Sequence, residues 1–596
     1  MSEQRTIARL WRDAIAAGRP NPAYLEQRGD EWKPISWTEA AERVDAYANG
    51  LLALGVAKGD AFATLATTRV EWALFDFALG SIGAIGSPIY ANSSPKDVAY
   101  ILDHSESVGV LCEDEAQRAK VEEVRGGIER VRHVLTFADL PELAERGRAF
   151  ATEHPDALRE AAGAIEEDDL FTYIYTSGTT GPPKGCMISH RNYYAMVAVV
   201  DDLERFTGPE DTMLLYLPLA HNFGRLMHLS GPYVGYTIAF LPDPLQAAAA
   251  LPAVRPTVFP SVPRVYEKVH TAVVGRFDEA TGVRRKLIDW ALGVGRRVSA
   301  LRRAGEPVPR SLALQHRLAD RLVYAKVKER LGGRLRTAIS GGAPLALEIA
   351  EFFHAIDILL VEGYGLTECT TAASTNTHAA FRFGTVGKAL PGFEVKLADD
   401  GELLVKSETV FQGYLKDPEA TAEVLSEDGW LKTGDIAEID EDGFIRITDR
   451  KKDIIVTAGG KNVAPQNLEN DLKSSKYVSQ ALVVGDRKPY VAALVTLEPE
   501  EIGKWAAEKG IQADVAELSR DERVRELIQV VIDGVNEDRS RYEQIKRFSI
   551  LPRDFTMDDG ELTPTLKLKR RVVQERFAEA LDELYAGETL NTAAGV

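Results

Sequence analysis

The most restrictive feature of this sequence is the alternation of short apolar strands with helices along its N-terminal part. Strands are predicted at 61–66, 86–90 and 108–112, and helices at 36–55, 69–79 and from Ser94-Pro95 onward. This alternation is typical of a doubly wound α/β fold built on a mostly parallel sheet. Ligands of such sheets bind beyond the carboxyl ends of the strands, so functional residues are expected in the loops that follow strands.

A different pattern begins near residue 394, where hairpins replace the alternation. Two strand–turn–strand patterns lie at 395–405 and 436–447, with Asp400-Gly401 and Asp442-Gly443 as their turns. Beyond the charged cluster Asp449–Asp453, strands are predicted again at 481–485 and 490–497. The sequence therefore predicts an α/β protein with a large N-terminal domain, residues 1–451, of doubly wound α/β subdomains plus a small antiparallel β-barrel-like subdomain. A small mobile α+β C-terminal domain would follow over residues 452–596.

Composition excludes several classes of protein. The chain has 596 residues, of which 45% are apolar, so it has enough apolar side chains for a large core. Its net charge of -19 argues against a nucleic-acid partner. The opening residues carry charges without an apolar core, and no apolar run is long enough to span a bilayer, so neither a secretory signal nor a membrane span is predicted. Three distant cysteines outside any CxxC spacing argue against a zinc site and favour a reducing compartment, which predicts a cytoplasmic protein.

One segment departs from the acidic character of the chain. Between Arg276 and Arg334 there are 15 lysines and arginines against 6 acidic residues. Two interpretations remain open at this stage. The segment is either a solvated helical hairpin, or a surface that meets an anionic substrate or the anionic lipids of the inner membrane face.

A loop rich in hydroxyls and glycines follows the strand predicted at 170–175. It reads Thr176-Ser177-Gly178-Thr179-Thr180-Gly181-Pro182-Pro183-Lys184-Gly185. Flexible backbone N–H groups, hydroxyl donors and one cation are what a polyphosphate requires, so the loop is predicted to bind phosphates. It is not the Walker A pattern, which occurs nowhere in the chain. The alternative is an ordinary surface loop.

This loop resembles the signature loop of the adenylate-forming superfamily, which comprises acyl-CoA synthetases, the adenylation domains of nonribosomal peptide synthetases and beetle luciferases. Other signatures of that superfamily follow in order, so that the resemblance covers nearly the whole chain. Segment 340–344 resembles the adenine-contacting turn, 363–368 the YGxTE motif, 430–435 the ribose motif, 443–453 the segment that ends in the hinge, and 564–571 the C-terminal lysine motif.

The resemblance implies which residues bind ATP and AMP. Besides the phosphate loop, these are Gly342, Ala343, Pro344, Tyr364, Gly365, Thr367, Glu368, Asp435 and Arg450. Their chemistry agrees, because a tyrosine offers a flat face for adenine and a threonine a hydroxyl for the α-phosphate. The Glu368 carboxylate suits a Mg²⁺ ion that bridges phosphates, and Asp435 suits the ribose hydroxyls. Core packing of Tyr364 and a surface ion pair of Asp435 are the alternatives.

The C-terminal motif supplies the catalytic candidate. The resemblance implies that Lys567 bridges the substrate carboxylate and the α-phosphate, although Lys569 lies close enough to be the alternative. It also implies that Lys452 is the hinge between the domains. Gly459, Gly460 and Lys461 would then form a loop on the CoA side.

Segments 217–225, 262–268 and 460–465 look like motifs of the long-chain fatty acid branch, and the closest resemblance is to bacterial long-chain fatty-acid–CoA ligases. It implies that His221 is a site residue at the carboxylate end of an acyl tunnel and that Tyr266 lies near the tunnel mouth. A core histidine and a core tyrosine are the alternatives.

The implied function is the ATP-dependent activation of a long-chain fatty acid to an acyl-adenylate and its transfer to CoA, with Mg²⁺ as the cofactor and ATP and CoA as substrates. Two other functions remain open. One is a fatty acyl-AMP ligase that loads a carrier protein, and the other is a catalytically inactive binder of nucleotides or fatty acids.

Overall fold

The computed structural model describes residues 4–29, 31–176, 182–203, 206–537, 539–557, 559–563 and 568–586. The elements up to residue 202 are α1 (Ile7–Ala16), β1 (Tyr24–Arg28), β2 (Glu31–Ile35), α2 (Trp37–Ala53), β3 (Ala61–Ala66), α3 (Val70–Ile82), β4 (Ile85–Tyr90), α4 (Pro95–His104), β5 (Gly109–Cys112), α5 (Glu115–Val124), β6 (His133–Thr136), α6 (Leu140–Glu153), α7 (Ala157–Gly163), β7 (Leu170–Thr176), β8 (Lys184–Ser189) and α8 (His190–Asp202).

The elements from 212 to 389 are β9 (Thr212–Leu215), α9 (Asn222–Ser230), β10 (Thr237–Phe240), α10 (Ala247–Val254), β11 (Val258–Ser261), α11 (Pro263–Asp278), α12 (Gly282–Arg303), α13 (Arg310–Ala319), α14 (Ala325–Arg330), β12 (Thr337–Gly341), α15 (Leu347–Ala355), β13 (Leu359–Tyr364), β14 (Ser374–Thr375) and β15 (Lys388–Ala389). Those from 394 to 450 are β16 (Glu394–Leu397), β17 (Glu402–Lys406), β18 (Gly413–Tyr414), α16 (Pro418–Val424), β19 (Leu431–Ile439) and β20 (Ile445–Arg450).

The remaining elements are β21 (Ile455–Val456), β22 (Asn462–Val463), α17 (Pro465–Ser474), β23 (Val478–Val484), β24 (Val491–Leu497), α18 (Pro499–Glu508), α19 (Val515–Leu518), α20 (Glu522–Asn536), β25 (Ile545–Ile550), α21 (Arg570–Arg576) and α22 (Ala578–Tyr585).

Two mixed sheets with parallel centres form the larger part of the molecule, and they confirm the predicted doubly wound α/β class. One sheet has the strand order β18-β8-β7-β4-β3-β5-β6, in which β7, β4, β3, β5 and β6 are parallel. The other has the order β15-β14-β13-β12-β11-β9-β10-β1-β2, with parallel strands from β13 to β1. Antiparallel strands β8 and β18 continue one edge of the first sheet, and antiparallel strands β2 and β15 form the two edges of the second.

Local sequence explains the helices between these strands. Helix α2 begins where the Ser36 hydroxyl accepts the Glu39 N–H, and Val44 and Leu51 are buried on the predicted face. Helix α3 continues past its predicted end, because Gly80 lies in the helix against Ile7 and Phe171, where a Cβ would come within 3.1 Å of each. The helix ends instead at Gly83, which has a φ of +73°.

A small antiparallel sheet, β16-β17-β19-β20, follows the two large sheets at the position predicted from the hairpin patterns. After it, the sheet β23-β24-β25 and its helices pack their apolar side chains in clusters of their own, such as those around Leu468, Val495 and Leu494. These clusters are separate from the main cluster, which extends from Ile7 to Ile445. The domain boundary at 451/452 stays a prediction.

The basic segment 276–334 is helical, as expected, and forms α12, α13 and α14. Helix α13 buries Leu312 and Ala319 toward its neighbours. Within the described ranges, no helix has both the length and the apolar character needed to cross a bilayer.

Candidate active site

The predicted phosphate loop joins two antiparallel strands. Thr176 ends β7 and Lys184 begins β8, and the two residues are paired across the hairpin. The Thr176 hydroxyl donates to the carbonyl of Lys184 at 3.4 Å. Five of the predicted loop residues, Ser177, Gly178, Thr179, Thr180 and Gly181, lie outside the described residues. Thr176, the first residue of the predicted loop, lies at the carboxyl end of β7, where ligands of such sheets bind.

Two motifs predicted to contact one nucleotide meet at the carboxyl end of β13. The Tyr364 hydroxyl donates to Asp435 Oδ2 at 2.6 Å, and Arg450 Nε lies 3.2 Å from Asp435 Oδ1. Asp435 is buried and Tyr364 half-buried, whereas the Arg450 side chain is about half exposed. Burial and the neighbouring Asp435 hold the pKa of Tyr364 well above its usual range, so its hydroxyl stays protonated. The three side chains form one polar group with an exposed edge.

The turn after β12 lies beside this group. Gly342 has a φ of +85°, and Gly342 and Ala343 are exposed while Pro344 is half-buried. Position 365 requires a glycine because the backbone of Thr371 approaches it closely, and a Cβ there would lie 1.7 Å from the Thr371 carbonyl oxygen. The strand register pairs Gly341 with Gly363, so the two predicted adenine-contacting segments leave adjacent strands at the same end of the sheet.

Glu362 is a buried carboxyl between those two segments, and sequence reasoning missed it. Its Oε2 lies 3.4 Å from the N–H of Leu345, which follows the 342–344 turn. Burial raises the pKa of Glu362 to about 8, so the side chain is largely neutral at pH 7. Its place directly before Gly363-Tyr364 was the available sequence signal.

Glu368 is held by a residue that the sequence analysis also missed. The Tyr414 hydroxyl donates to Glu368 Oε1 at 2.6 Å, and the N–H of Phe411 donates to the Glu368 carbonyl at 2.8 Å. The neighbouring Thr367 is half-buried, and its carbonyl accepts a hydrogen bond from Asn222 at 3.2 Å. Glu368, predicted to hold the metal, and Thr367, predicted to contact the α-phosphate, are therefore held by hydrogen bonds from other segments of the chain.

Magnesium fits this arrangement in one way. No cluster of three or more His, Cys, Asp or Glu side chains able to hold a metal occurs in the described part of the chain. Mg²⁺ is commonly held by one or two carboxylates together with substrate phosphates rather than by a protein cage. A single carboxylate at Glu368 is consistent with that mode of binding.

The two residues predicted to line an acyl tunnel occupy different environments. His221 is half-buried at the N-terminus of α9, where its Nδ1 accepts the N–H of Phe223 at 3.2 Å. Tyr266 is buried in α11, and its hydroxyl donates to the carbonyls of Phe259 and Ile339 at 2.7 and 3.2 Å. Tyr266 is thus fixed against β11 and β12 as part of their packing.

The segment before the predicted hinge is anchored to the small antiparallel sheet. Lys451 Nζ lies 2.6 Å from Asp400 and 2.9 Å from Glu402, and its N–H donates to the carbonyl of Gly434 at 2.9 Å. Partial desolvation of the Lys452 ammonium, together with the neighbouring Arg450, lowers the pKa of Lys452. The side chain of the residue directly before the predicted hinge is thus tied to the small antiparallel sheet.

The predicted CoA-side loop is the turn between β21 and β22. Gly459, Gly460 and Lys461 are exposed there, and Gly460 has a φ of +69°. Lys461 Nζ lies 5.9 Å from the centre of the Tyr542 ring.

The catalytic candidate Lys567 lies outside the described residues. The alternative, Lys569, directly precedes α21, and its N–H donates to the carbonyl of Glu561 at 2.8 Å.

A sheet with a parallel centre, a glycine-containing turn at the end of β12 and the pair of Tyr364 and Asp435 beside it are features that suit a nucleotide-binding protein. The sequence matches the model of the AMP-binding enzyme family over residues 11–415 and that of the AMP-binding enzyme C-terminal domain over residues 452–589. The chain therefore belongs to the AMP-binding enzyme family.

Similar proteins have names that agree with this assignment. The protein named long-chain-fatty-acid–CoA ligase FadD15 of Mycobacterium bovis is 39% identical, covering 94% of this chain and 93% of that protein. The peroxisomal long chain acyl-CoA synthetase 6 of Arabidopsis thaliana is 31% identical, covering 93% of this chain and 82% of that protein. Among solved structures, the adenylation domain of a carboxylate reductase from Mycobacterium chelonae has a TM-score of 0.76 at 25% identity, covering 98% of this chain and 91% of that one.

Proposed function

We propose that this protein is an AMP-forming long-chain fatty-acid–CoA ligase, which converts a fatty acid, ATP and CoA into acyl-CoA, AMP and pyrophosphate. Two relatives that cover nearly the whole chain carry the names of such enzymes. The observation that carries the proposal is that Asp435 contacts both Tyr364 and Arg450. These residues come from separate motifs that were predicted to bind the same nucleotide.

In the first half-reaction the fatty carboxylate attacks the α-phosphorus of ATP, and pyrophosphate leaves with the electrons of the broken P–O bond. Asp435 accepts hydrogen bonds from the ribose hydroxyls, and Tyr364 covers one face of adenine. The 176–184 loop and Thr367 hold the phosphates, while Lys567 bridges the carboxylate and the α-phosphate. Glu368 would hold Mg²⁺, which would supply charge neutralisation when bound.

In the second half-reaction the CoA thiol attacks the acyl carbonyl, and AMP leaves. We assign residues 1–451 and 452–596 to two domains that reorient about Lys452 between the steps, so that Lys567 withdraws and the Gly459–Lys461 loop faces the CoA channel. The anchoring of Lys451 to Asp400 and Glu402 supports this assignment, because it fixes the chain up to the residue before the hinge.

His221 is proposed to line the carboxylate end of the acyl tunnel. Its half-buried position at the start of α9, next to Asn222 and therefore close to Thr367, supports this role. Tyr266 is proposed as a rigid part of the tunnel wall, because both of its hydrogen bonds go to strand carbonyls.

We also propose a cytoplasmic location with peripheral contact at the inner membrane face through residues 276–334. Helix α13 and the turn after it expose Leu314, Leu318 and Leu322, at 69%, 50% and 38% of their surface. The exposed arginines Arg310, Arg317 and Arg321 occupy a neighbouring row on the same outward face. Apolar side chains beside cations suit a surface of anionic lipids, where a fatty acid substrate also partitions.

The test of the overall function is pyrophosphate release from Mg-ATP with acetate, octanoate, palmitate, oleate, benzoate or leucine, each with and without CoA, and with products identified by mass. We expect release with palmitate or oleate and acyl-CoA only when CoA is present. Accumulation of acyl-adenylate that CoA does not consume would favour the ligase that loads a carrier protein. If no acid causes pyrophosphate release, the remaining alternative is a catalytically inactive protein that binds nucleotides or fatty acids.

The lysine assignment is tested by Lys567→Ala with Lys569→Ala as the matched control. We expect Lys567→Ala to lower adenylation by about 100-fold or more, as the loss of a donor to developing charge does. Lys569→Ala should stay within about threefold of wild type, because its backbone N–H, which donates to the carbonyl of Glu561, is kept in the variant and a substitution away from the reacting atoms changes little. The reverse pattern would assign the role to Lys569.

A further inference from the structure

A two-residue strand connects the phosphate loop with Glu368. Strand β18 pairs with β8, so that Tyr414 lies opposite Cys186, and the N–H of Leu415 donates to the Gly185 carbonyl at 2.8 Å. Strand β8 begins at Lys184, the cation at the end of the predicted phosphate loop. Tyr414 is buried, with 8% of its surface exposed. It contacts Glu368 in the structure, although the two residues are 46 positions apart in the sequence.

The side chain of Tyr414 contacts both of the charged residues predicted to act on the phosphates. Its hydroxyl donates to Glu368 Oε1 at 2.6 Å, and Lys184 Nζ lies 4.9 Å from the centre of its ring. The same cation lies 3.7 Å from Asp417 Oδ2, three residues after the tyrosine.

From this geometry we infer that Tyr414 is a positioning residue that sets the distance and orientation between Glu368 and Lys184 for adenylate formation. The inference rests on the proposed function. One carboxylate oxygen of Glu368 is committed to the tyrosine, which directs the other away from it, and the ring limits where the lysine ammonium can lie. Loss of the hydroxyl would leave the carboxylate free to rotate.

This role belongs to one half-reaction only. Pyrophosphate has left before CoA attacks, so the two phosphate contacts are no longer needed in the second step. A residue that acts through Glu368 and Lys184 is therefore required for adenylation and dispensable for thioester formation.

The experiment uses the full chain with Tyr414→Phe. Adenylation is followed as pyrophosphate release with palmitate over a range of Mg²⁺ concentrations, and the second step as palmitoyl-CoA formation from added palmitoyl-adenylate. We expect kcat of adenylation to fall about 10- to 100-fold, the range for loss of a hydrogen bond to a charged group. The Mg²⁺ concentration for half-maximal rate should rise, while KM for palmitate and the second step stay within about twofold of wild type.

Tyr236→Phe is the matched control, because Tyr236 is also buried and donates its hydroxyl to a backbone carbonyl, that of Met227, at 2.8 Å. If Tyr414→Phe behaves like this control, or slows both half-reactions equally, the inference is wrong. A wild-type enzyme that releases no pyrophosphate overturns the proposed function instead, so the two failures are distinct.

A double-mutant cycle with Glu368→Gln gives a second readout that does not depend on the size of the first effect. If Tyr414 acts through Glu368, adding Tyr414→Phe to Glu368→Gln costs less than twofold in adenylation rate. If the double variant lowers the adenylation rate by the product of the two single-variant factors, Tyr414 and Glu368 act independently and the inference is wrong.

Discussion

Arg264 of α11 lies 3.0 Å from Glu498, measured from Nη2 to Oε2, and the same nitrogen donates to the Ser479 hydroxyl at 2.8 Å. Glu498 and Ser479 belong to the region beyond residue 452, so this contact joins the two proposed domains. Arg264 was predicted only as part of a motif of the long-chain branch, and the structure gives it a contact between domains. Lys476 and Asp278 make a second such ion pair at 3.3 Å.

Arg264→Ala is expected to change the balance between the two domain orientations. Both side chains are largely buried, at 18% and 23% exposure, so loss of the contact should cost about 1 kcal/mol, or about fivefold in an equilibrium between orientations. The ratio of adenylation rate to thioester rate should shift by that factor. The two half-reactions measured separately would show it, with Arg43→Ala as the control because its partner Glu39 lies in the same helix, α2. An unchanged ratio would mean that the contact does not select an orientation.

Asp435→Asn is expected to weaken ATP binding. The substitution keeps the shape of the side chain and removes the charge that Arg450 contacts, and a hydrogen bond to a charged group is worth about 1.5–3 kcal/mol. KM for ATP should rise about 10- to 100-fold, with KM for palmitate unchanged. Asp440→Asn, at an exposed ion pair with Arg382, should alter neither constant. An unchanged KM for ATP would remove Asp435 from the nucleotide site.

The leucine and arginine rows of α13 lead to a prediction for membrane binding. Leu314→Ser combined with Leu318→Ser should lower binding to phosphatidylglycerol vesicles at any salt concentration, because the apolar contribution is not screened. Arg317→Gln combined with Arg321→Gln should lower it at low salt only, since each arginine near an anionic surface contributes about 1 kcal/mol that salt screens. Co-sedimentation measures both, and Val530→Ser is the control for an exposed apolar residue on α20. Equal binding of all variants would contradict the proposed contact.

A buried ion pair leads to a prediction for stability. Arg225 Nη2 lies 2.5 Å from Asp76 Oδ1, His228 Nε2 lies 3.6 Å from the other oxygen, and all three residues are buried. Arg225→Met leaves the Asp76 charge unpaired, which should destabilise the protein by about 3–5 kcal/mol. The double variant Arg225→Met and Asp76→Leu should recover most of that loss. Thermal unfolding of the three proteins tests the prediction, and a double variant no more stable than the single one would contradict it.

Local patterns were sufficient for much of the fold. The strand at 61–66 and the hairpin around Asp400-Gly401 lie where they were predicted, because alternation and turn residues act over a few positions. The predicted end of α3 was wrong by three residues, because the helix continues through Gly80, where the absence of a side chain allows close packing against Phe171. Tertiary packing decided that boundary.

The site residues also fall into two groups, those that sequence motifs predicted and those that only the tertiary structure shows. Tyr364 and Asp435 were named through a resemblance, and the structure brings them together across 71 positions of sequence. Tyr414 was missed because its partner Glu368 lies 46 positions away and no local pattern marks a tyrosine that will meet a carboxylate. Glu362 was missed because its place directly before Gly363-Tyr364 marks a possible site residue but not its burial, which depends on the placement of the neighbouring strand.

Glu362 provides a prediction for the pH dependence of stability. Its pKa is about 8 in the folded protein, against an ordinary value near 4.5, because burial disfavours the charged form. Between these two values the unfolded chain has lost the proton that the folded protein retains, so the contribution of Glu362 to stability falls as pH rises from about 4.5 to about 8 and then levels off. Glu362→Gln removes the titrating group, and the difference in Tm between variant and wild type should therefore move in favour of the variant across that range. A difference in Tm that is constant from pH 5 to pH 8 would show that Glu362 ionises normally in the folded protein.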